Sequence, residues 1–432
     1  MERGGKPAVD AAGDDRSTTV SSLVADDAKD RYYRDLYTTA PDFKDLARLD
    51  PDFAAITKGR DIDFNNPASV MQLTKTLLRL DFNLSIDLPD NRLCPPVPNR
   101  HNYILWLKDL LDTSTYDQPR RGVVGLDIGT GSSCIYPLLG CAQRPWSFIA
   151  TDIDPQNLEW SRKNVALNNF QHRIKVVARR PEDSLLPLDD LNLNSIDFCM
   201  TNPPFTRSKI EMIVQGGEAG FVDRILEESL VLRERVQWYT AMFGFLASAI
   251  RLVDKLRALG VDNYAVTEFI QGTKTRRWAV AWSFQTMRPV QDAARGVKTA
   301  LSKNILPAVT EADVVRLSLP EGIGKMAEDL SSAVSKLELI SWQWDKEKLE
   351  GIGRAPGIVW NRAWRRRRKR EQEGTTDKMA DDPTVFGFKI RIHVARDGLR
   401  IGCRWLEGHD AAAFESFQGF LKTAAQSAHR SG

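Results

Sequence analysis

Cysteine and histidine are both scarce: the 432 residues contain five of each. The cysteines are Cys94, Cys134, Cys141, Cys199 and Cys403, and no two of them form a Cys-x-x-Cys pair. The histidines are equally dispersed and show no metal-ligand spacing. We therefore predict no metal site and no disulfide framework, and we expect buried free thiols in a reducing compartment.

Long apolar runs and an excess of either charge are also missing. No run reaches the length that a transmembrane helix needs, and the acidic amino terminus lacks the apolar core of a signal peptide. We therefore expect a soluble, intracellular protein without membrane contact. The formal net charge is only +3, so any binding of nucleic acid must rely on local clusters of cations.

The chain divides into segments of different character. Residues 1–29 have few aromatics and are predicted to be a disordered tail, and 30–112 are predicted to form an arm and helices that cap a core. Across 113–290, short apolar runs alternate with helical segments, which predicts a Rossmann-like α/β domain whose sheet has seven strands. Residues 291–310 are predicted to be a linker, and 311–428 a small C-terminal α+β domain.

Helix signals are strongest ahead of the α/β domain. Asn66-Pro67 has the composition of a helix start, with asparagine as the cap and proline in the first turn. Apolar residues at helical spacing follow, so we predict an amphipathic helix over 67–82 and a second helix near 99–112.

The predicted arm interleaves basic and aromatic residues. Arg31, Arg34 and Lys44 stand among tyrosines and phenylalanines such as Tyr32 and Tyr33. Cations bind phosphate and aromatic rings stack on bases, so this composition suits RNA. The alternative is an arm that packs on the main domain, and the two interpretations are compatible.

A glycine-rich turn carries the cofactor signal. Leu126-Asp127-Ile128-Gly129-Thr130-Gly131 follows the first predicted strand and opens a helix, where free N–H groups and close backbone approach favour a ligand. Asp152 closes the second strand, where an acid accepts hydrogen bonds from ribose hydroxyls. Asp-x-Gly-x-Gly is the pattern of S-adenosylmethionine sites, in which the acid meets the cationic methionine end.

The fourth predicted strand ends in Asn202-Pro203-Pro204-Phe205. The prolines stiffen the turn and contribute no N–H, so its carbonyls have no donor beside them. The Asn202 side-chain oxygen adds an acceptor and Phe205 a flat ring, and together they suit a planar ring with an exocyclic amine. The motif resembles that of methyltransferases acting on amino groups, although four residues alone also fit an ordinary Pro-Pro turn.

The most basic stretch of the chain lies in the C-terminal segment. Residues 356–365 are predicted to be an aromatic strand, and the run Arg365-Arg366-Arg367-Arg368-Lys369-Arg370 follows it directly. A solvated charge run, a nuclear-import signal and an RNA clamp are all possible interpretations. The position beside an aromatic strand favours the clamp.

Over residues 40–285 the chain resembles the methyltransferase-like 16 family, adenine-N6 methyltransferases of U6 small nuclear RNA with bacterial relatives that act on large-subunit ribosomal RNA. Several runs carry the resemblance: Pro41-Asp42-Phe43, Leu84-Ser85-Ile86-Asp87, Arg100-His101-Asn102-Tyr103-Ile104, Gly129-Thr130-Gly131-Ser132-Ser133-Cys134, Asp197-Phe198-Cys199-Met200, Asn202-Pro203-Pro204-Phe205, Gly216-Gly217-Glu218, Gln271-Gly272 and Arg277-Trp278.

The resemblance implies roles for individual residues. The residues expected to bind the cofactor are Arg100, Asp127, Gly129, Thr130, Gly131, Asp152, Ser184 and Asn202, with Ser184 near the adenine end. The residues expected to act in catalysis are Asn202, Pro203, Pro204 and Phe205. The resemblance also implies RNA contacts for Lys274, Arg276 and Arg277. The composition of the arm adds Arg31, Arg34 and Lys44 to the residues expected to bind RNA, and the basic run adds Arg365, Arg366 and Arg367.

Two features depart from the family pattern. The long insert after the Asn-Pro-Pro-Phe turn is reduced to Thr206–Gln215, and Asp183 stands where the animal proteins have a lysine that can obstruct the cofactor pocket. Regulation that depends on either feature is therefore not expected to carry over unchanged.

Together these observations predict a nuclear, S-adenosylmethionine-dependent RNA methyltransferase that forms N6-methyladenosine in structured RNA, with U6 small nuclear RNA as the favoured substrate and a cytoplasmic pool possible. The same chemistry on ribosomal RNA is the first alternative. A non-catalytic RNA-binding scaffold is an alternative of another class, and a protein-glutamine methyltransferase also uses an Asn-Pro-Pro-aromatic turn.

Overall fold

Two sheets organise the chain. The structure, a computed structural model, describes residues 27–431 except 58, 60, 90–91, 93, 117–121, 204–215, 272–274, 298–303 and 367–384. The strands of the large sheet are β1 (Val124–Ile128), β2 (Ser147–Asp152), β3 (Ile174–Ala178), β4 (Ile196–Thr201), β5 (Val236–Phe243), β6 (Tyr264–Gln271), β7 (Thr275–Trp282) and β8 (Arg295–Gly296). They are arranged in the order β3-β2-β1-β4-β5-β7-β6-β8.

The large sheet is mostly parallel. Strands β1 to β5 run in one direction, and β7 is antiparallel to both β5 and β6. All seven predicted strands are present, including the predicted hairpin of β6 and β7. The two-residue β8 adds an eighth strand at the edge, beside β6.

Helices cover both faces of this sheet, as the alternation of strand and helix patterns predicted. The helices ahead of β1 are α1 (27–35), α2 (Phe43–Leu49), α3 (Pro51–Ile56), α4 (Pro67–Phe82) and α5 (Val97–Thr113). Those that follow are α6 (Ile135–Gln143), α7 (Pro155–Leu167), α8 (Gly217–Leu232), a 3-10 turn (Arg233–Arg235), α9 (Leu246–Ala258) and α10 (Gln291–Ala294). The predicted start of α4 is confirmed, because the Asn66 side chain caps the Ala68 amide at 3.0 Å and Pro67 lies in the first turn.

The C-terminal sheet is entirely antiparallel. Its strands are β9 (Glu311–Leu317), β10 (Ser341–Asp345), β11 (Glu350–Ala355), β12 (Phe386–Ala395) and β13 (Gly398–Glu407), in the order β10-β11-β12-β13-β9. Helices α11 (Ile323–Ser335) and α13 (Ala411–Ser431) bury their apolar faces against one side of it, and a short helix, α12 (362–366), follows β11.

The predicted strand over 356–365 is wrong. Strand β11 ends at Ala355, because Pro356 lacks an N–H and Gly357 adopts a positive φ of 144°. The Asn361 side chain then accepts the Trp364 amide at 2.7 Å, which starts α12 instead. The argument that an aromatic strand supports the basic run therefore fails.

The ends of two predicted segments differ from expectation. Residues 27–29 of the predicted tail belong to α1, and the rest of that tail lies outside the described residues. Part of the predicted linker is ordered as α10 and β8. Burial of Ala293 and Ala294 explains this, together with the hydrogen bond that the Trp106 indole donates to the Ala293 carbonyl at 2.8 Å.

Buried charges hold the arm against the α/β domain. Lys108 is fully buried and binds Asp30 at 2.8 Å, and Arg144 joins Asp30 to Asp112. Burial alone would raise the pKa of Asp30, but hydrogen bonds from Arg144 and Lys108 hold this pKa below its ordinary value. Tyr33 is buried beside this network, so the arm packs on the main domain as the alternative interpretation proposed.

Two asparagines, one on α7 and one at its C-terminal cap, hold the segment that precedes α5. The Asn164 side chain accepts the Asp87 amide and donates to the Asp87 carbonyl, at 2.8 and 2.9 Å. Asn168, one turn later, does the same for Ser85, at 2.8 and 2.7 Å. The two side chains thereby replace a neighbouring strand, and they fix the entry into α5.

Arg288 links the two sheets. Its side chain is 3% exposed, lies over the Trp405 ring and forms an ion pair with Asp262. Its Nε donates to the Gly408 carbonyl at 2.8 Å, and its main-chain N–H donates to the Leu406 carbonyl at 2.8 Å. Burial lowers the pKa of Arg288, and the Asp262 charge opposes that shift.

This contact lies at the edge of the large sheet where its parallel strands begin. Strand β6 runs parallel to β1 and begins two residues after Asp262, so the C-terminal sheet docks opposite the edge at which β1 ends. An eight-residue strand spans about 25 Å, which separates the docking contact from the carboxyl edge.

None of the helices in the described part of the chain combines the length and the apolarity that a bilayer crossing requires. The described residues also contain no cluster of three or more histidine, cysteine or acidic side chains able to hold a metal ion. All five cysteines are free thiols; four are buried, as predicted, and Cys94 is partly buried.

We expect Arg288→Ala to lower the free energy of unfolding by about 2–4 kcal/mol, because several buried partners lose a donor at once. Urea unfolding followed by tryptophan fluorescence measures this loss. Arg251→Ala removes an exposed ion pair with Asp223 and should cost less than about 1 kcal/mol. Equal losses in the two variants would contradict the linking role of Arg288.

Candidate functional site

The loops after β1, β2 and β4 are joined at the carboxyl edge of the large sheet. The amides of Gly129 and Thr130 both donate to the Thr151 carbonyl at 2.9 Å. The Thr201 hydroxyl donates to the Ile128 carbonyl, also at 2.9 Å. The three sequence signals therefore meet in one place, as parallel strands require.

The glycine turn uses backbone conformations that favour glycine. Gly129 and Gly131 have φ values of +76° and +65°, where side chains with a Cβ are strained. The Gly131 amide donates to Asp152 Oδ2 at 2.8 Å, and the Ser161 hydroxyl donates to the Gly131 carbonyl at 2.6 Å. These two hydrogen bonds fix the conformation of the turn ahead of α6.

Asp152 organises this turn in addition to facing the site. Its Oδ1 accepts the Asp154 amide at 2.9 Å and the Asn157 side-chain amide at 3.3 Å. Sequence reasoning assigned Asp152 to ribose and missed Asn157 and Ser161. Their spacing of four residues on α7, directly after Asp152, was the signal that could have found them.

Unpaired polar atoms collect at this edge. Among the described residues, Arg100 Nε and the buried side-chain oxygen of Asn202 have no hydrogen-bond partner, and the buried Asp127 carboxyl has no donor beside it except the neighbouring Thr130 hydroxyl. Buried polar atoms normally have partners, so a cluster of unpaired ones indicates a ligand. A carboxylate, an amide oxygen and free donors fit the mixed charge of S-adenosylmethionine and an incoming amine.

Burial shifts the pKa of the Asp127 carboxyl upwards, and a hydrogen bond from Thr130 opposes that shift. Asp127 is 1% exposed, and burial raises its pKa to about 7, with the charge of Asp152 acting in the same direction. A cation placed beside it would favour the ionised form. The residue therefore suits the positively charged end of a ligand.

Asn202 and Pro203 stand at the end of β4 on a buried support. The Thr240 hydroxyl donates to the Cys199 carbonyl at 2.9 Å, and the Tyr103 hydroxyl lies 2.7 Å from Thr240 Oγ1. This support fixes the strand just before the Asn-Pro-Pro-Phe turn. Pro204 and Phe205 lie outside the described residues.

Two arginines face the same region from α5 and β7. Burial lowers the pKa of Arg277, and the charge of Arg100 lowers it further. Burial raises the pKa of Tyr136 to about 12, and this hydroxyl lies close enough to Arg100, Asp127 and Arg277 to respond to their charges. Arg100, expected at the cofactor, and Arg277, expected at RNA, are therefore neighbours.

Glu218 was quoted only as part of a matching run, yet it has a clear structural role. Its carboxylate is 6% exposed and accepts the amides of Gly244 and Phe245, at 2.9 and 3.2 Å. The beginning of α8 is thereby tied to the loop after β5. An acid directly after two glycines was the feature of the sequence that could have indicated this role.

The loop after β3 carries Ser184 at the same edge. The Ser184 hydroxyl donates to Glu228 at 2.7 Å, which turns it towards α8. Asp183 accepts the Arg180 amide at 2.8 Å, so its side chain closes a local turn.

The residues expected to bind RNA lie in separate places. Arg31 and Lys44 are exposed on α1 and α2, and Arg34 binds Asp109 at 2.7 Å, near the end of α5 opposite Arg100. Arg276 is exposed on β7, and Arg365 and Arg366 are exposed on α12. Lys274 and Arg367 lie outside the described residues. Of the expected RNA-binding residues that the structure describes, Arg276 and Arg277 are the two at the carboxyl edge that carries Asn202.

Comparison with known proteins assigns the family. A sequence model described as RNA methyltransferase matches residues 26–212 and 205–286, which is more than half of the chain. The chain belongs to this family of RNA methyltransferases. Family membership confirms the predicted resemblance and the predicted enzyme class, and the observed sheet agrees with the predicted methyltransferase fold.

Relatives of named activity extend the comparison. The chain is 35% identical over 389 residues to the U6 small nuclear RNA (adenine-(43)-N(6))-methyltransferase of Schizosaccharomyces pombe, covering 86% of this chain and 96% of that protein. It is 42% identical over 278 residues to human RNA N(6)-adenosine-methyltransferase METTL16, covering 56% of this chain and 48% of that protein. The chain thus spans nearly all of the yeast relative but about half the length of the human one.

Solved human structures share the fold of the first part of the chain. The N-terminal domain of human METTL16 in complex with SAH is 44% identical with a TM-score of 0.52, and the match covers 58% of this chain and 97% of that one. The human catalytic domain in complex with the MAT2A 3'UTR hairpin 1 is 40% identical, also with a TM-score of 0.52, and covers 60% and 96%.

We expect the affinity for S-adenosylmethionine to fall as the pH drops below about 7. Asp127 must be ionised to favour a cation, and its pKa in the free protein is about 7. Each unit by which the pH falls below this value therefore lowers the affinity by up to about tenfold. Calorimetry between pH 5.5 and 7.5 measures this slope.

Asp127→Asn should bind more weakly at pH 7.5 and show little slope. Asp345→Asn, at an acid that accepts the Glu347 and Lys348 amides in a turn of the C-terminal sheet, serves as the matched control and should keep the slope. A slope that survives in Asp127→Asn would assign the titration to another group.

Proposed function

We propose that this chain transfers a methyl group from S-adenosylmethionine to N6 of an adenine in U6 small nuclear RNA. The names of the relatives support the adenine and, for the yeast relative, the RNA. The observation that carries the proposal is the buried side-chain oxygen of Asn202, which has no partner within the described part of the chain, at the edge where the glycine turn and Asp152 meet. An amide oxygen there can accept a hydrogen bond from an amino group, which suits an amine as the methyl acceptor.

The end of β4 provides two acceptors for one amino group. The Asn202 side-chain oxygen accepts one amino hydrogen, and the Pro203 main-chain carbonyl accepts the other. With both hydrogens held, the lone pair of the adenine nitrogen points out of the ring plane. S-adenosylmethionine supplies a reactive sulfonium methyl, so positioning contributes most of the acceleration.

Access of the adenine requires that it leaves its stack, because N6 of a stacked, paired base is not exposed to the methyl donor. Phe205, directly after the two prolines, is proposed to stack on the displaced base. The amino proton becomes acidic only as the methyl is transferred, so no general base is needed early in the step.

The remaining site residues are proposed to hold the cofactor. Asp127 is proposed to face the cationic methionine end. The amides of the turn from Gly129 to Gly131 already donate to Thr151 and Asp152, so they shape the turn and are not themselves donors to the cofactor. Asp152 retains acceptor capacity for the ribose hydroxyls beyond the bonds it makes to the turn. Arg100 is proposed to bind the methionine carboxylate, and Ser184 to lie near the adenine end.

RNA is proposed to contact cations on both sides of the molecule. Arg276 and Arg277 lie at the carboxyl edge, and Arg365 and Arg366 lie on the C-terminal domain. The domain limits 113–290 and 311–428 are proposed as the catalytic and RNA-binding units. A U6 substrate implies a nuclear location.

Asn202→Ala is expected to lower the single-turnover rate of transfer by about 10²–10³, because one positioned hydrogen bond is lost in the transition state. The dissociation constant for S-adenosylmethionine should change less than threefold. Filter binding and rapid-quench kinetics separate the two quantities. Asn194→Ala, an exposed asparagine at the other end of β4, is the matched control. Comparable losses of rate and cofactor binding would contradict the role of Asn202.

The substrate is tested by incubating the protein with methyl-labelled S-adenosylmethionine and total RNA, followed by size separation. One labelled band at the size of U6, absent with Asn202→Ala, is the expected result. Label in large ribosomal RNA would instead favour the ribosomal alternative. Cofactor binding without labelled RNA would favour a scaffold or a protein substrate.

A further inference from the structure

An exposed phenyl ring stands beside the catalytic turn. Phe245 follows β5 and is 59% exposed. Strand β5 lies next to β4, and the pair Cys199↔Tyr239 places Met242 level with Asn202, three residues further along both strands. Given the spacing of strands and the rise per residue, the backbones of Phe245 and Asn202 are roughly 10 Å apart.

The backbone that carries this ring is fixed. Glu218 accepts the amide of Phe245 at 3.2 Å and that of Gly244 at 2.9 Å, and Phe245 is the residue immediately before α9. An apolar ring on a fixed backbone gains no burial from its exposed position. Packing within the described part of the chain therefore does not account for it.

Two further exposed side chains continue the same row. Phe245 lies two residues after Phe243, which pairs with Trp278, and Arg276 lies two residues before Trp278. Arg276 in turn pairs with Ile270 on β6, and Ile270 is 49% exposed. Arg276 and Ile270 form a cross-strand pair and therefore share one face of the sheet. Phe245 lies just beyond β5, which ends at Phe243, and so stands next to this pair at the carboxyl edge.

The cation in this row is only weakly paired. Arg276 Nη1 lies 3.8 Å from Glu268, and the arginine side chain is 45% exposed. A guanidinium at such a distance keeps donors for a phosphate oxygen. A flat ring and a cation side by side form the combination that binds one unpaired nucleotide, through stacking and through its phosphate.

We propose that Phe245 stacks on a nucleotide next to the target adenine, with Arg276 contacting the phosphate of that nucleotide. The proposal rests on the proposed function, because it assumes that an adenine enters the pocket beside Asn202. When the target base leaves its stack, its neighbour loses a stacking partner. Phe245 replaces that partner and so lowers the cost of extruding the adenine.

The test is a cycle that combines protein and RNA variants. A methylatable U6 hairpin is prepared intact and with an abasic site at each of the two nucleotides on either side of the target. RNA affinity and single-turnover rates are measured with wild type and Phe245→Ala. Phe245→Ala should weaken binding of the intact hairpin by about 5- to 100-fold, the range measured for base–aromatic stacking.

The expected signature is coupling at one position. With the abasic site at that nucleotide, Phe245→Ala should cause no further loss, whereas the losses should add at the other positions. Phe245→Trp should restore binding, and the affinity for S-adenosylmethionine should be unchanged throughout. Leu259→Ala removes a side chain of similar exposure, 49%, at the far end of α9 and is the matched control.

The stacking assignment is overturned if the losses of RNA affinity from Phe245→Ala and from the abasic site add at all four positions. It is also overturned if Phe245→Ala binds the intact hairpin as tightly as wild type does. If wild type binds the hairpin without methylating it, the proposed function fails while the coupling in binding still decides the role of Phe245. Failure of wild type to bind any of the hairpins overturns both proposals.

Discussion

The parallel pairing of β1 with β2 on one side and β4 on the other is the constraint on which the rest depends. It brings the glycine turn, Asp152 and Asn202 to one edge, although they are far apart in the chain. Side chains then lock the edge: Asp152 holds the turn, and Thr201 ties β4 to the end of β1. The acceptors that remain unpaired are the ones available to ligands, so the same bonds that stabilise the edge define its chemistry.

The opposite edge of the sheet serves a different purpose. Arg288 is buried between the two sheets and binds partners from both, so the C-terminal sheet docks near the start of β6, at the end of that strand opposite the edge that carries Asn202. The two edges differ because of strand direction. Ligands bind at the loops that follow parallel strands, whereas the ends at which the strands begin remain available for docking.

Much of this arrangement could be predicted from the sequence, because local patterns determined it. Alternating strand and helix periods predicted the large sheet, and the spacing of the glycine turn, Asp152 and Asn202 predicted their meeting. The failures were long-range. The composition of the arm left RNA binding and packing on the main domain both open, and no local pattern reveals that Tyr33 is buried beside Lys108 and Asp30. The apolar run after Ala355 suggested a strand, yet Pro356 and Gly357 ended β11 before it.

The central claim is that the Asn202 side-chain oxygen accepts a hydrogen from N6 of the target adenine. A crystal structure with a U6 hairpin and a non-reactive analogue of S-adenosylmethionine measures the distance directly. We expect the Asn202 oxygen and adenine N6 to lie about 3 Å apart, with the Pro203 carbonyl at a similar distance. An adenine bound at this edge with N6 outside hydrogen-bond reach of Asn202, beyond about 3.5 Å, would contradict the account.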